Sequence, residues 1–247
     1  MKKVLMQTRN IKRMFGGLAA NDDINIEIRH GETHAVLGPN GAGKSTLINL
    51  LSGDLSCSSG SILYRGQDIT HLPPESRSQL GIGRSYQKTN IFPAFSVLEN
   101  CRLAAQSRKP RACAMFSNAT SYGPYLDAAH EALTRTGLAG HAHRLANELS
   151  HGEQRQLELA IVLSTQPGVL LLDEPLAGMG AEESARMIDL LKVLVRSHAI
   201  LMVEHDMNAV FAIADMVTVM VNGRILITGT PEEIQSSDEV QRAYFGH

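Results

Sequence analysis

The chain has 247 residues, 43% of them hydrophobic and 19% charged, which is too apolar for a disordered chain and large enough for one big domain or two small ones. Lysine and arginine number 23 against 25 acids, so the net charge of -2 gives no electrostatic case for nucleic acid or acidic lipid as the main partner. The three cysteines, Cys57, Cys101 and Cys113, lie far apart with no CxxC pair, supporting neither a disulfide framework nor a zinc site and fitting a reducing compartment.

The N-terminus opens with lysines, but Arg9, Lys12 and Arg13 interrupt it before a secretory apolar region develops. Residues 23–29 alternate Ile24, Ile26 and Ile28 with polar neighbours, the pattern of a half-buried strand in an antiparallel edge. THAVL (33–37) is a short apolar strand running into a glycine-rich turn, and KSTLINLLS behind it is a helix closed by Gly53. From Phe95 to about Ser164 the period becomes helical, ending in a helix with Leu157, Ala160, Ile161 and Ser164 on one face. After Pro167 strands and helices alternate again: VLLLD (169–173), a helix with Met187, Leu190, Leu191 and Leu194 on one face, AILMV (199–203), another helix, then MVTVMV (216–221). Such unbroken apolar runs are the mark of parallel strands buried on both faces. The stretch around Ala209 to Val221 is broken by Asp215 and too short to cross a bilayer, so any membrane span belongs to another chain. The expectation is one α/β domain whose core, about 1–88 and 165–247, is split by a helical insertion at about 89–164.

GPNGAGKST (38–46) is a complete P-loop in the required place between strand and helix. Gly38, Asn40, Gly41 and Gly43 let backbone N–H groups curl around phosphate, Lys44 reaches the β- and γ-phosphates, and the hydroxyls of Ser45 and Thr46 open the helix, with Ser45 able to ligate Mg²⁺. The VLLLD strand ends in Asp173, placed to hold Mg²⁺ opposite Ser45, and Glu174 supplies a second carboxylate to polarise the attacking water. These motifs predict a P-loop NTPase using ATP and Mg²⁺.

ELSHGEQRQLELA (148–160), just before that strand, resembles the signature of the ABC family, usually Leu-Ser-Gly-Gly-Gln: Leu149, Ser150 and Gly152 match, whereas His151 and Glu153 depart. The resemblance implies a RecA-like core with an antiparallel β edge and an inserted helical subdomain. It also implies two cassettes stacked head to tail, with Ser150, Gly152 and Glu153 completing the partner's ATP site. By position Phe15 resembles the aromatic that stacks on adenine, Gln87 the Q-loop residue that touches Mg²⁺ and water, and His205 the histidine that contacts the γ-phosphate. Where the family usually carries Ser-Ala-Leu-Asp, this chain has Ala177, Gly178, Met179 and Gly180, so the aspartate that bonds across the dimer is missing. His141 and His143 lack a third metal ligand and are expected to be a solvated loop.

RNIKRMFGGLAANDDINIEI, EPLAGMG, VEHDMNAVFAIADMVTVMVNGRILITGTPEEI and VQRAYFG resemble the ATP-binding subunits of the branched-chain amino acid importer family, over about residues 5–246. This implies membrane permease partners, an indirect solute-binding protein, and a peripheral place on the cytoplasmic face of the membrane. Alternatives are the cassette that powers lipopolysaccharide export, a soluble ABC ATPase acting on ribosomes or DNA, and a P-loop kinase. The last would leave Ser150, Gly152 and His205 without a role.

Overall fold

The computed structural model describes residues 2–86, 90–108 and 122–245, so Gln87 and Cys113 lie outside the described residues. In chain order the elements are β1 (Val4–Phe15), β2 (Leu18–Ile24), β3 (Glu27–Arg29), β4 (Thr33–Leu37), α1 (Lys44–Ser52), β5 (Ser59–Tyr64), β6 (Gln67–Asp68), α2 (Pro74–Leu80), β7 (Ile82–Arg84) and α3 (Val97–Arg108). There follow α4 (Gly123–Arg135), α5 (His151–Ser164), β8 (Val169–Asp173), α6 (Ala181–Leu194), β9 (Ala199–Val203), α7 (Met207–Phe211), β10 (Met216–Val221), β11 (Arg224–Gly229), α8 (Pro231–Gln235) and α9 (Asp238–Phe245).

Among the described residues the central sheet runs β11-β10-β4-β9-β8-β7, parallel except for the antiparallel edge strand β11. Every residue of β4, β8 and β9 is buried, as their continuous apolar runs require. Val36 pairs with Val203 and Val203 with Asp173, so these three strands end level with one another. Whatever follows them in sequence is gathered at one edge, where open α/β sheets bind ligands.

The antiparallel sheet runs β2-β1-β5-β6 with β3 also on β1. The single strand expected over 23–29 is two, β2 and β3: Asp23 takes a left-handed φ of 58°, Ile24 makes the last pairing of β2, and the chain is out of the ladder at Asn25 and Ile26. Thr8 fills the gap: its hydroxyl donates to the Ile24 carbonyl (3.0 Å) and accepts from the Ile26 N–H (2.8 Å). Ile24, Ile26 and Ile28 stay buried on both sides of the break, so the alternation holds though the strand does not.

Helices α3, α4 and α5 pack on one another, yet their buried residues Val97, Cys101, Leu133 and Leu157 share one cluster with Leu37, Leu170 and Leu172 of the sheet. The helical layer therefore has no core of its own. At the end of α1, buried Arg77 donates to the carbonyls of Leu50 (2.6 Å), Leu51 (2.9 Å), Thr70 (2.9 Å) and Leu72 (2.9 Å), satisfying acceptors that a helix C-terminus leaves orphaned.

Candidate active site

A cleft of about 530 Å³ opens over the start of α1, lined by Asn40, Gly41, Gly43, Lys44, Ser45, Thr46 and Glu174. Gly43 stands before α1 with φ 99°, and a Cβ there would overlap the Ala20 carbonyl. No side chain caps α1 and no acid lies in its first turn, so its leading N–H groups and the positive end of its dipole suit an anion. Lys44 Nζ donates to the carbonyls of Gly38 (2.6 Å) and Pro39 (3.1 Å). Burial lowers the Lys44 pKa, against the opposing pull of Glu174 and Asp173.

Glu174 reaches the cleft through a left-handed step, φ 49°, fixed by its N–H on the Val203 carbonyl (2.9 Å). A left-handed conformation in a residue other than glycine costs about 1–2 kcal/mol and is retained where the surroundings hold it, commonly at functional sites. Asp173 sits behind, 5% exposed and outside the cleft lining. Burial raises its pKa even though Arg84 Nη2 stands 3.8 Å from one carboxylate oxygen; the other oxygen is buried with no hydrogen-bond partner among the described residues. A buried carboxylate oxygen in need of a partner, at the end of a strand that packs on α1, is the kind of hard-oxygen donor that Mg²⁺ takes.

His205 follows β9 with its side chain 62% exposed and Nδ1 3.9 Å from Glu174 Oε1 and 3.7 Å from Glu204 Oε2. Glu204, 1% exposed, was not anticipated; burial raises its pKa, and it accepts from the N–H groups of Leu176 (3.0 Å) and His205 (3.2 Å), tying the loop after Glu174 to the loop carrying His205. Also missed were Leu18, Ala19 and Ala20 of β2 and Asn222 and Gly223 of the β10–β11 turn, all lining the cleft. Asn-Gly between two apolar runs was the available signal. Gly223, φ 78°, donates to the Ala42 carbonyl (3.0 Å), and a Cβ there would press to 2.8 Å on the Ala19 and Ala20 carbonyls. Phe15 stands at the end of β1, 45% exposed beneath the Arg13 guanidinium (4.7 Å) and outside the cleft lining; Leu18, 69% exposed, is the apolar side chain at its rim.

Ser150, Gly152 and Glu153 do not line the cleft. They form the N-terminus of α5 as a capping box: Ser150 Oγ accepts from the Glu153 N–H (3.3 Å) and Glu153 accepts from the Ser150 N–H (2.7 Å). The first cause of the lowered Glu153 pKa is that backbone bond, and His141 Nδ1 lies 3.2 Å away. Glu183 of α6 lies beside Gly152, where a Cβ would overlap it, and accepts from the Gly180 N–H (3.2 Å). Gly180, standing where the usual aspartate is missing, is thus linked through Glu183 to Gly152 of its own chain.

An ABC transporter family profile matches residues 21–177, from the edge of the cleft through Glu174. The chain belongs to the ABC transporter family. The high-affinity branched-chain amino acid transport ATP-binding protein LivG of Escherichia coli strain K12 is 37% identical, covering 100% of this chain and 99% of its own. BraF of Pseudomonas aeruginosa, named likewise, is 32% identical with the same coverage. A nucleotide-free ATP-binding cassette from an ABC transporter superposes with a TM-score of 0.88 at 27% identity, over 99% of this chain and 100% of that one. A cassette solved in its ADP conformation gives 0.86, also at 27% identity, over 99% of both. This ABC cassette is an ATPase with the P-loop NTPase fold expected from its motifs, and no described helix is long and apolar enough to cross a membrane.

Proposed function

We propose that the chain powers an importer for branched-chain amino acids or a related small polar solute, hydrolysing Mg-ATP between two cassettes. The observation that carries the reading is the cleft itself, with the P-loop, Lys44 and the left-handed Glu174 facing one space. Asp173 and Ser45 are the residues that would hold Mg²⁺, which when bound offsets charge on the β- and γ-phosphates; Gln87 is proposed to join them. Lys44 exchanges its bonds to the Gly38 and Pro39 carbonyls for phosphate oxygens. Glu174 accepts the proton of the attacking water, and His205, within 4 Å of it, contacts the γ-phosphate. Phe15 or Leu18 covers the adenine.

Ser150, Gly152 and Glu153 stand apart from the cleft of their own chain, which supports their serving a second cassette, identical or paralogous. We place the permease on the groove of about 310 Å³ lined by Asp54, Arg84, Tyr86 and Ile161, between the sheet and the helical layer, at the cytoplasmic face of the membrane. A solute-binding protein is then an indirect partner. The LivG and BraF names support the solute class, which loss of labelled leucine uptake in cells lacking the chain would test. The mechanism is tested by Glu174→Gln, which keeps shape but removes the base. With Mg-ATP it should elute from a sizing column as a dimer holding intact ATP, while the wild-type chain with ADP elutes as a monomer. Near-normal hydrolysis would remove Glu174 from the mechanism, and an inactive mutant that stays monomeric would overturn the shared site.

A further inference from the structure

Two charged residues of α5 are buried although nothing in the reading so far uses them. Arg155 Nη1 lies 2.8 Å from Glu158 Oε2, with side chains only 9% and 8% exposed. An (i, i+3) pair on a helix surface contributes little, and taking both charges out of water is unfavourable unless their remaining hydrogen-bonding capacity is used. Here part of that capacity is used on another part of the chain. Glu158 Oε1 accepts from the Asn90 N–H (2.8 Å), and Arg155 Nη1 reaches the Tyr86 carbonyl (3.4 Å). The pair therefore grips two main-chain points of the connection between β7 and α3.

That connection is itself fastened to the strand bearing Asp173. The N–H of Ser85, next to Tyr86, donates to the Leu171 carbonyl (3.0 Å), and Ser85 Oγ accepts from the Asp173 N–H (3.4 Å). Ser85, Arg155, Glu158, Asp173 and Met187 also surround one small cavity of about 20 Å³, room for about one water. There is little slack between α5 and Asp173.

We propose that Arg155 and Glu158 are a positioning pair through which α5 sets the geometry of Asp173, so that ATP held by the N-terminus of α5 on one cassette tunes the metal-binding acid of the other site. This rests on the proposed role of Ser150 and Gly152 in the partner's site. Arg155 and Glu158 lie about one and two turns along α5 from Ser150, so a shift of that helix carries both together, Arg155 against the Tyr86 carbonyl and Glu158 against the Asn90 N–H. Neither residue lines the cleft over the P-loop, so both are positioning residues and not catalytic ones.

The test is steady-state ATPase assay of the full chain carrying Glu158→Gln, and carrying the apolar pair Arg155→Met with Glu158→Leu. Replacing a buried ion pair by apolar residues of similar volume generally preserves folding, so the second variant keeps the test open if the first fails to fold. Expected for both are ATP affinity of the isolated chain within twofold of wild type, kcat down at least tenfold, a several-fold rise in the Mg²⁺ concentration giving half-maximal rate, and a Hill coefficient for ATP falling toward 1. A merely structural pair would lower thermal stability without moving Mg²⁺ dependence or cooperativity. The shared site has its own readout, the Glu174→Gln dimer. Wild-type kcat, Mg²⁺ dependence and cooperativity in the apolar double variant, in a chain that passes that assay, overturns this proposal alone.

Discussion

Around Lys44 the chain encloses the cleft from several directions, with β2, the P-loop, Glu174 and the β10–β11 turn all contributing, whereas around Ser150 it presents one exposed helix end whose polar groups bond to one another. Both regions begin a helix, but only α1 is left without a cap. An uncapped helix end facing a cleft invites an anion from within the chain's own site, while a self-capped end is stable alone and can meet a ligand brought by another molecule. The difference separates the half of the site that folding completes from the half that association completes.

The sharpest way to break that contrast is at Gly152. Gly152→Asp places a carboxylate where the partner's γ-phosphate is proposed to lie and should abolish hydrolysis while leaving ATP binding to the isolated chain intact. The same side chain would also collide with Glu183, so the effect alone is ambiguous. Adding Glu183→Ala relieves the collision and leaves the charge; the double variant is expected to remain inactive in a phosphate-release assay. Recovery of turnover would show that Gly152 matters for packing on α6 and not for the partner's nucleotide.

At the other helix start, Lys44→Ala removes a charged hydrogen bond to phosphate of about 1.5–3 kcal/mol, so ATP affinity measured by calorimetry should fall roughly ten- to hundredfold. Unchanged affinity would remove the P-loop from the nucleotide site.

A third test lies at the opposite end of β4, where His34 is almost wholly buried. Its Nδ1 meets the Glu27 carbonyl (3.2 Å), which can only accept, so Nδ1 carries the proton and Nε2 accepts from Thr218 Oγ1 (2.8 Å). A second proton would put a charge on a ring almost wholly withdrawn from water, and that burial moves the pKa from 6.5 down to about 4. The unfolded chain therefore binds the extra proton first as pH falls. Stability from this residue is fully present above pH 6.5 and is lost between there and pH 4, by about 3 kcal/mol. Denaturant titrations across that range should show the loss in the wild-type chain, and His34→Gln should flatten it.

The smallest effect is expected from Ser150→Ala, which removes the cap of α5. Stability should fall by about 1 kcal/mol in a denaturant melt, with hydrolysis lost in greater proportion if Ser150 also serves the partner's nucleotide. An equal, small loss in both would leave Ser150 a cap and nothing more.

Much of this was legible because the relevant signals are local. A glycine-rich turn after an apolar run, two acids closing a second run and a helical period over Leu157, Ala160, Ile161 and Ser164 each specify backbone geometry within a few residues, and the structure has β4, α1, β8 and α5 at those places. What the sequence by itself determined were thus the alternating elements, the P-loop and the order in which the functional segments arrive. Tertiary structure alone decided that β9 lies between β4 and β8, which brings His205 beside Glu174. It also decided that the Asn222-Gly223 turn, far beyond the P-loop in sequence, forms one wall of the cleft, that Glu174 enters through a left-handed step, and that Glu204, Arg155 and Glu158 are buried with partners far away in sequence. Those facts depend on strand order and on which buried polar group must find which partner, and both are set only when distant segments pack together.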